Sequence, residues 1–208
     1  MQRHIVRQLT HALAALALLL AVAVTAQDDR GRLRIGNVKV DLKTVRTPIF
    51  QSSSNPQATS EYEWLQVYVE YETVGGRHEW ADEVTIDWSL LVRPNNTVKP
   101  ILLHQSATYV DVADGKHHAV MYVRPGFIRR HCDTKSPNKS HFAAYAEISS
   151  EGKNLAREEY SRSAQPKNWW NAKEPAVRLI EGELLSPDDT PFAALDYDFY
   201  EHPKRKRQ

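Results

Sequence analysis

Apolar and polar residues alternate along most of this chain with a period of two, the spacing that turns one face of an extended strand toward a core and the other toward solvent. The clearest run covers residues 84 to 93. Val84, Ile86, Trp88, Leu90 and Val92 share one face, and Thr85, Asp87, Ser89, Leu91 and Arg93 share the other. Upstream, Leu65, Val67, Val69 and Tyr71 alternate with Gln66, Tyr68, Glu70 and Glu72, and Gly75-Gly76 supplies a loop between the two runs where positive φ is accessible. Leu33 to Lys43 alternates as well, with Gly36-Asn37 marking a phase change that predicts a β-bulge.

Further strands follow by the same logic. Pro94-Asn95-Asn96 predicts a turn, with a return through Ile101, Leu102 and Leu103. Asp114-Gly115 is a tight-turn dipeptide between Tyr109–Val112 and His118–Val123, and Pro125-Gly126 closes that pair. Phe142 to Ile148, the turn Ser150-Glu151-Gly152-Lys153 and Leu155 to Tyr160 make a second hairpin. Val177 to Leu185 reads as one more strand. Thr190-Pro191 resembles a helix start, so Phe192 to Tyr200 is expected as a short helix or an irregular segment docked on the sheets. Short strands at this spacing, with almost no helical periodicity, predict an all-β fold: an antiparallel immunoglobulin-like β-sandwich of about seven to eight strands with a C-terminal appendage. Trp88, on the third long strand, suits the core of such a sandwich or of any other.

One segment breaks the pattern. Arg3 and Arg7 precede a continuous apolar run of 13 residues, Ala12 to Val24, which ends in Val24-Thr25-Ala26 before the polar Gln27-Asp28-Asp29-Arg30. That is the layout of a cleavable secretory signal, and the run is shorter than the ~20 residues a membrane-spanning helix needs. The expected organisation is a signal peptide over 1-26, the sandwich over 27-163, a loop, strand and short helix over 164-202 packed on it, and a basic disordered tail over 203-208. Export to the periplasm, cell envelope or extracellular space follows, without a stable membrane span.

Composition narrows the function. Removing 26 of the 208 residues leaves 182, enough for a real core. Subtracting the two signal arginines leaves 25 basic and 26 acidic residues, and four of the bases sit in Lys204-Arg205-Lys206-Arg207. The body is therefore mildly acidic, which argues against nucleic acid as a partner. Cys132 is the single cysteine, so no intrachain disulfide forms and burial must supply the stability.

Candidate chemistry is sparse. His117-His118 and the group His131, Cys132, Asp133 and His141 contain the right ligand types for a metal, but neighbouring histidines on a strand point to opposite faces and the second group lacks paired-ligand spacing. No metal or cofactor is expected. The chain has no Gly-x-Ser-x-Gly, no His-Glu-x-x-His and no Gly-rich phosphate loop, and the adjacent acids Glu158-Glu159 and Asp188-Asp189 read as solvated surface. An enzyme is not expected. The binding candidates are Trp169 and Trp170, two large aromatics in a polar loop. Together they would form a platform for a sugar ring or a protein partner, unless one of them plugs the end of the sandwich.

The strand pattern, the Trp169-Trp170 loop and the closing run Leu184-Leu185, Thr190-Pro191-Phe192-Ala193, Tyr197-Asp198 and Tyr200-Glu201 resemble the secreted, pilus-like immunoglobulin-fold proteins of Verrucomicrobia-type bacteria. The resemblance implies an exported, non-catalytic protein that acts by protein-protein contact, in a type IV pilus or a secretion-associated assembly, with a protein partner or self-assembly. The long apolar first helix of an ordinary type IV pilin is not visible. A carbohydrate-binding module that uses the two tryptophans, with a glycan as ligand, is the alternative.

Overall fold

The computed structural model describes residues 32–49, 62–95 and 98–204. Residues 1-26, expected as a signal peptide, and the residues beyond Lys204 lie outside the described residues. Seven long strands are present: β1 (Arg34–Arg46), β2 (Glu63–Val74), β3 (Trp80–Val92), β4 (Ile101–Ala113), β5 (Gly115–Val123), β6 (Phe142–Ser150) and β7 (Lys153–Ser161). Two short strands, β8 (Arg178–Ile180) and β9 (Leu184–Leu185), bring the described total to nine. One sheet runs β1-β2-β5-β9 and the other β7-β6-β3-β4-β8, and the two pack face to face as a sandwich. All neighbours are antiparallel except β4 and β8.

The core holds the faces that alternation assigns to it. Leu65, Val67, Val69 and Tyr71 from β2 meet Val84, Ile86, Trp88, Leu90 and Val92 from β3, and Trp88 is fully buried. The predicted bulge is present: the β1/β2 register shifts between Gly36 and Lys39, and Asn37 takes a φ of 51°.

Asp114-Gly115 behaves differently from the expectation of a hairpin. The residues before it form one continuous strand from Ile101, and the turn carries the chain into the opposite sheet, so β4 and β5 do not pair. The Gly75-Gly76 loop makes the same kind of crossing from β2 to β3. The two crossovers are fastened together, because Asp114 accepts hydrogen bonds from the amides of Gly75 (2.8 Å) and Gly76 (3.1 Å). Gly75 has a φ of 86°, and a Cβ on Gly76 would lie 2.4 Å from the carbonyl oxygen of Trp80.

Two further departures have local causes. Pro125-Gly126 ends β5 as expected, but Pro125 also opens an eight-residue helix, α1 (Pro125–Cys132), because its fixed φ suits the first helical position. Phe127, Ile128 and Cys132 bury the helix, and Asp133, with a φ of 48°, ends it. The expected strand from Val177 to Leu185 divides at Gly182 (φ 73°) into β8 on one sheet and β9 on the other. Arg124 pins that bend by a two-pronged contact with Glu183, at 2.7 and 2.6 Å. From Phe192 to Tyr200 the chain forms docked turns, the irregular one of the two expected forms, and the helical turn of this region is the 3₁₀ segment Pro187–Asp189.

The residues after 163 clasp both sheets. Trp169 and Val177 cover Leu91, Leu102, Ala143 and Tyr145 on the outer face of the β3/β4/β6 sheet. Phe192 and Tyr200 cover Trp64, Tyr68, Val120 and Tyr122 on the outer face of the other. This second cover explains why β2 is buried on both faces from Trp64 to Val69.

Candidate functional site

The structure separates the two predicted binding residues. Asn168 adopts a left-handed backbone (φ 55°) and starts a 3₁₀ turn, Trp169–Asn171, that points the two rings in different directions. Trp169 is 3% exposed and sits edge-on to Tyr145, with ring centroids 6.4 Å apart. It plugs the outer face of the sheet and does not belong to an exposed pair. Trp170 is half-buried and stacks flat on Tyr145, with centroids 4.1 Å apart and planes 3° from parallel. An open depression of about 260 Å³ beside it is lined by Tyr145, Arg157, Glu158, Glu159, Asn168 and Trp170. Tyr145 donates to Glu147 (2.7 Å), and burial first, then that carboxylate, pushes its phenol up to about 12.

A larger exposed aromatic surface lies on the final segment. Leu195, Tyr197 and Phe199 are 40, 59 and 52% exposed and alternate with the exposed acids Asp196 and Asp198. Phe199 stacks on His118 at 4.1 Å, and His118 stacks in turn on Tyr68 at 5.6 Å and hydrogen-bonds its hydroxyl through Nδ1. Lys43 lies 4.0 Å above the Tyr68 ring, extending the stack to β1. Phe199 is thus supported from beneath by the outer face of the β1/β2/β5 sheet, while Tyr197 stacks on His202 at 3.8 Å.

A buried latch holds its C-terminal side. His117 is 7% exposed; its Nδ1 lies 2.7 Å from Glu201 Oε1, and its Nε2 lies 2.8 Å from the carbonyl of Ala113 and 2.9 Å from Thr73 Oγ1. The amide of Glu201 donates to the carbonyl of His118 (2.8 Å), and the amide of Lys204 donates to Thr108 (2.6 Å). Sequence spacing did not signal this pairing, because His117 and Glu201 are far apart in the chain.

The other candidates resolve into structural roles. His117 and His118 point to opposite faces of β5, and His131 packs against Phe127 at 4.5 Å. Among the described residues, no group of three or more His, Cys, Asp or Glu side chains is placed to hold a metal. Cys132 is buried, and burial pushes its thiol up to about 11, which suppresses the nucleophilic thiolate.

A model of one protein family matches residues 24–207. The chain belongs to the family which that model defines. The crystal structure of a protein from Akkermansia muciniphila superposes with a TM-score of 0.72 over 85% of this chain and 95% of that chain, at 20% identity. At that identity the likeness carries the fold alone, the sandwich described above. No curated protein matches the chain.

Proposed function

We propose that this family member is an exported, non-catalytic immunoglobulin-like sandwich that works by protein-protein contact in a type IV pilus or a secretion-associated assembly of the cell envelope. The observation that carries the reading is the ridge of Leu195, Tyr197 and Phe199. Three large apolar side chains stand exposed in five residues, on a segment that the His117–Glu201 latch and the Phe192 packing hold in place. Exposed, rigidly backed aromatics of this kind are the anchors of protein interfaces. The strand order β1-β2-β5 against β7-β6-β3-β4, with Trp88 buried on the third long strand, supports the immunoglobulin-like description. The pilus connection draws on the resemblance carried by the closing sequence. In the same reading, residues 1-26 are a removed signal, 27-163 and 164-202 form one folded unit, and 203-208 is a basic tail tied at Lys204 to Thr108.

Chemical crosslinking in intact cells, followed by affinity capture, tests the proposal. Recovery of envelope assembly proteins or of crosslinked copies of the chain is the expected result; their absence, together with a monomeric purified protein, would end it.

The depression beside Trp170 favours a second reading, as a carbohydrate site. One aromatic face flanked by Glu158, Glu159, Asn168 and Arg157 has the composition that stacks on a pyranose and hydrogen-bonds its hydroxyls. It uses Trp170 alone, since Trp169 is buried. Glycan binding that survives Trp170→Ala, or silence across a glycan array, removes this reading.

A further inference from the structure

Two surfaces of opposite charge lie on different parts of this molecule. Between residues 179 and 203 there are seven acids and no Lys or Arg, and the exposed aromatic ridge sits within that run. Between 124 and 139 there are five bases and one acid. There, α1 and the loop after it frame an open depression of about 530 Å³, lined by Gly126, Arg129, Arg130, Asp133, Thr134 and Lys135. Arg130 and Lys135 are exposed and, among the described residues, form no ion pair, and neither do Asp196 and Asp198. Arg129 already stacks over an aromatic ring, that of Tyr62, at 4.6 Å.

The geometry points to a second copy of this chain as the occupant of both surfaces: we propose that the Leu195–Phe199 ridge of one copy docks into the α1 basin of the next. The basin offers guanidinium groups to aromatic faces and to carboxylates, and the ridge presents those two groups in alternation. One copy does not satisfy itself. The ridge rests on His118, five residues up β5 from its end, and α1 begins beyond that end, so roughly 17 Å of strand separates them. Because ridge and basin are different patches, the contact is head-to-tail, and a chain of copies keeps one ridge and one basin unfilled at its ends wherever the rotation between copies does not close a ring. The inference rests on the protein-contact reading and names its partner.

The test is sedimentation of the purified protein from micromolar to about millimolar concentration. Wild type is expected to grow in size with concentration without reaching a closed plateau, and about 0.5 M salt is expected to weaken association roughly tenfold as the charges are screened. Asp196→Ser/Asp198→Ser disables the ridge and Arg130→Ser/Lys135→Ser disables the basin, so each variant alone sediments as a monomer. Mixed, they retain one good ridge and one good basin between them, and form 1:1 dimers that do not extend. All four positions are exposed, and an unchanged melting curve verifies the fold of each variant. A wild type that stays monomeric overturns the inference, as does a mixture that fails to dimerise. If the wild type is monomeric but still crosslinks to other envelope proteins in cells, self-docking falls while the protein-contact reading stands.

Discussion

Trp169→Ala and Trp170→Ala separate a structural role from a binding role at neighbouring positions. Trp169 is 3% exposed and packed among Leu91, Leu102, Ala143, Tyr145 and Val177, and its Nε1 has no hydrogen-bond partner, so truncation removes apolar packing and no bond. A buried tryptophan hides about 200 Å², and at roughly 25 cal/mol per Å² the transfer contribution is about 5 kcal/mol. Truncations of buried Trp or Phe cost about 3–5 kcal/mol, because the cavity collapses only in part. Trp170 is half-buried and loses mainly its stack on Tyr145, a contribution of about 1 kcal/mol beyond the area it covers. Urea unfolding followed by circular dichroism at constant m measures both variants. The expected loss for Trp169→Ala is about 3–5 kcal/mol, with a melting temperature lower by roughly 10 °C for a chain of this size. The expected loss for Trp170→Ala is about 1–2 kcal/mol. Equal losses, or less than about 1 kcal/mol for Trp169→Ala, would refute the burial argument.

Other consequences follow from the same contacts. Glu201→Ala leaves His117 Nδ1 buried without its acceptor; a loss of about 1–3 kcal/mol and faster proteolysis of the C-terminal segment are expected, and an unchanged cleavage rate would argue against the latch. Gly76→Ala drives a Cβ to within 2.4 Å of the Trp80 carbonyl oxygen and should destabilise the fold, whereas Gly126→Ala meets nothing within 4 Å inside α1 and should stabilise by about 0.5–1 kcal/mol, both read from melting curves. Burial holds the Cys132 thiol up to about 11 from 9.0 and the Tyr68 and Tyr122 phenols up to about 12 from 10.0. Their neutral forms are favoured in the folded state, so this stability is complete below the unfolded values and is lost as pH rises from about 9 to 12. Native Cys132 should therefore resist a thiol reagent at pH 8 and react on unfolding; rapid native reaction would contradict its burial.

The strands were legible because one face of each meets the core, so period-two alternation had a physical cause. Val84 to Val92 and Phe142 to Ile148 occupy the registers their patterns imply. The partners across turns were not legible. Asp114-Gly115 has the same turn chemistry in a hairpin as in a crossover, and the deciding contact, Asp114 to the Gly75 and Gly76 amides, joins segments about forty residues apart. Helix α1 escaped a period-two reading because its apolar positions, Phe127, Ile128 and Cys132, follow a helical face over only eight residues. Trp169 and Trp170 are indistinguishable by composition, and the left-handed Asn168 determines which is buried. The ridge lay in plain view as Leu195-Asp196-Tyr197-Asp198-Phe199. Its exposure depends on Phe192 and Tyr200 reaching Trp64, Tyr122 and Gln66 across the whole chain.

Protein contact through the ridge is tested most directly in its native setting. A photo-crosslinking amino acid is placed at Tyr197, and in a parallel variant at the exposed Asn154 on β7, and intact cells are irradiated. The account predicts protein adducts from position 197 at yields well above those from 154. Equal yields from the two positions, or no protein adduct from 197, would contradict it.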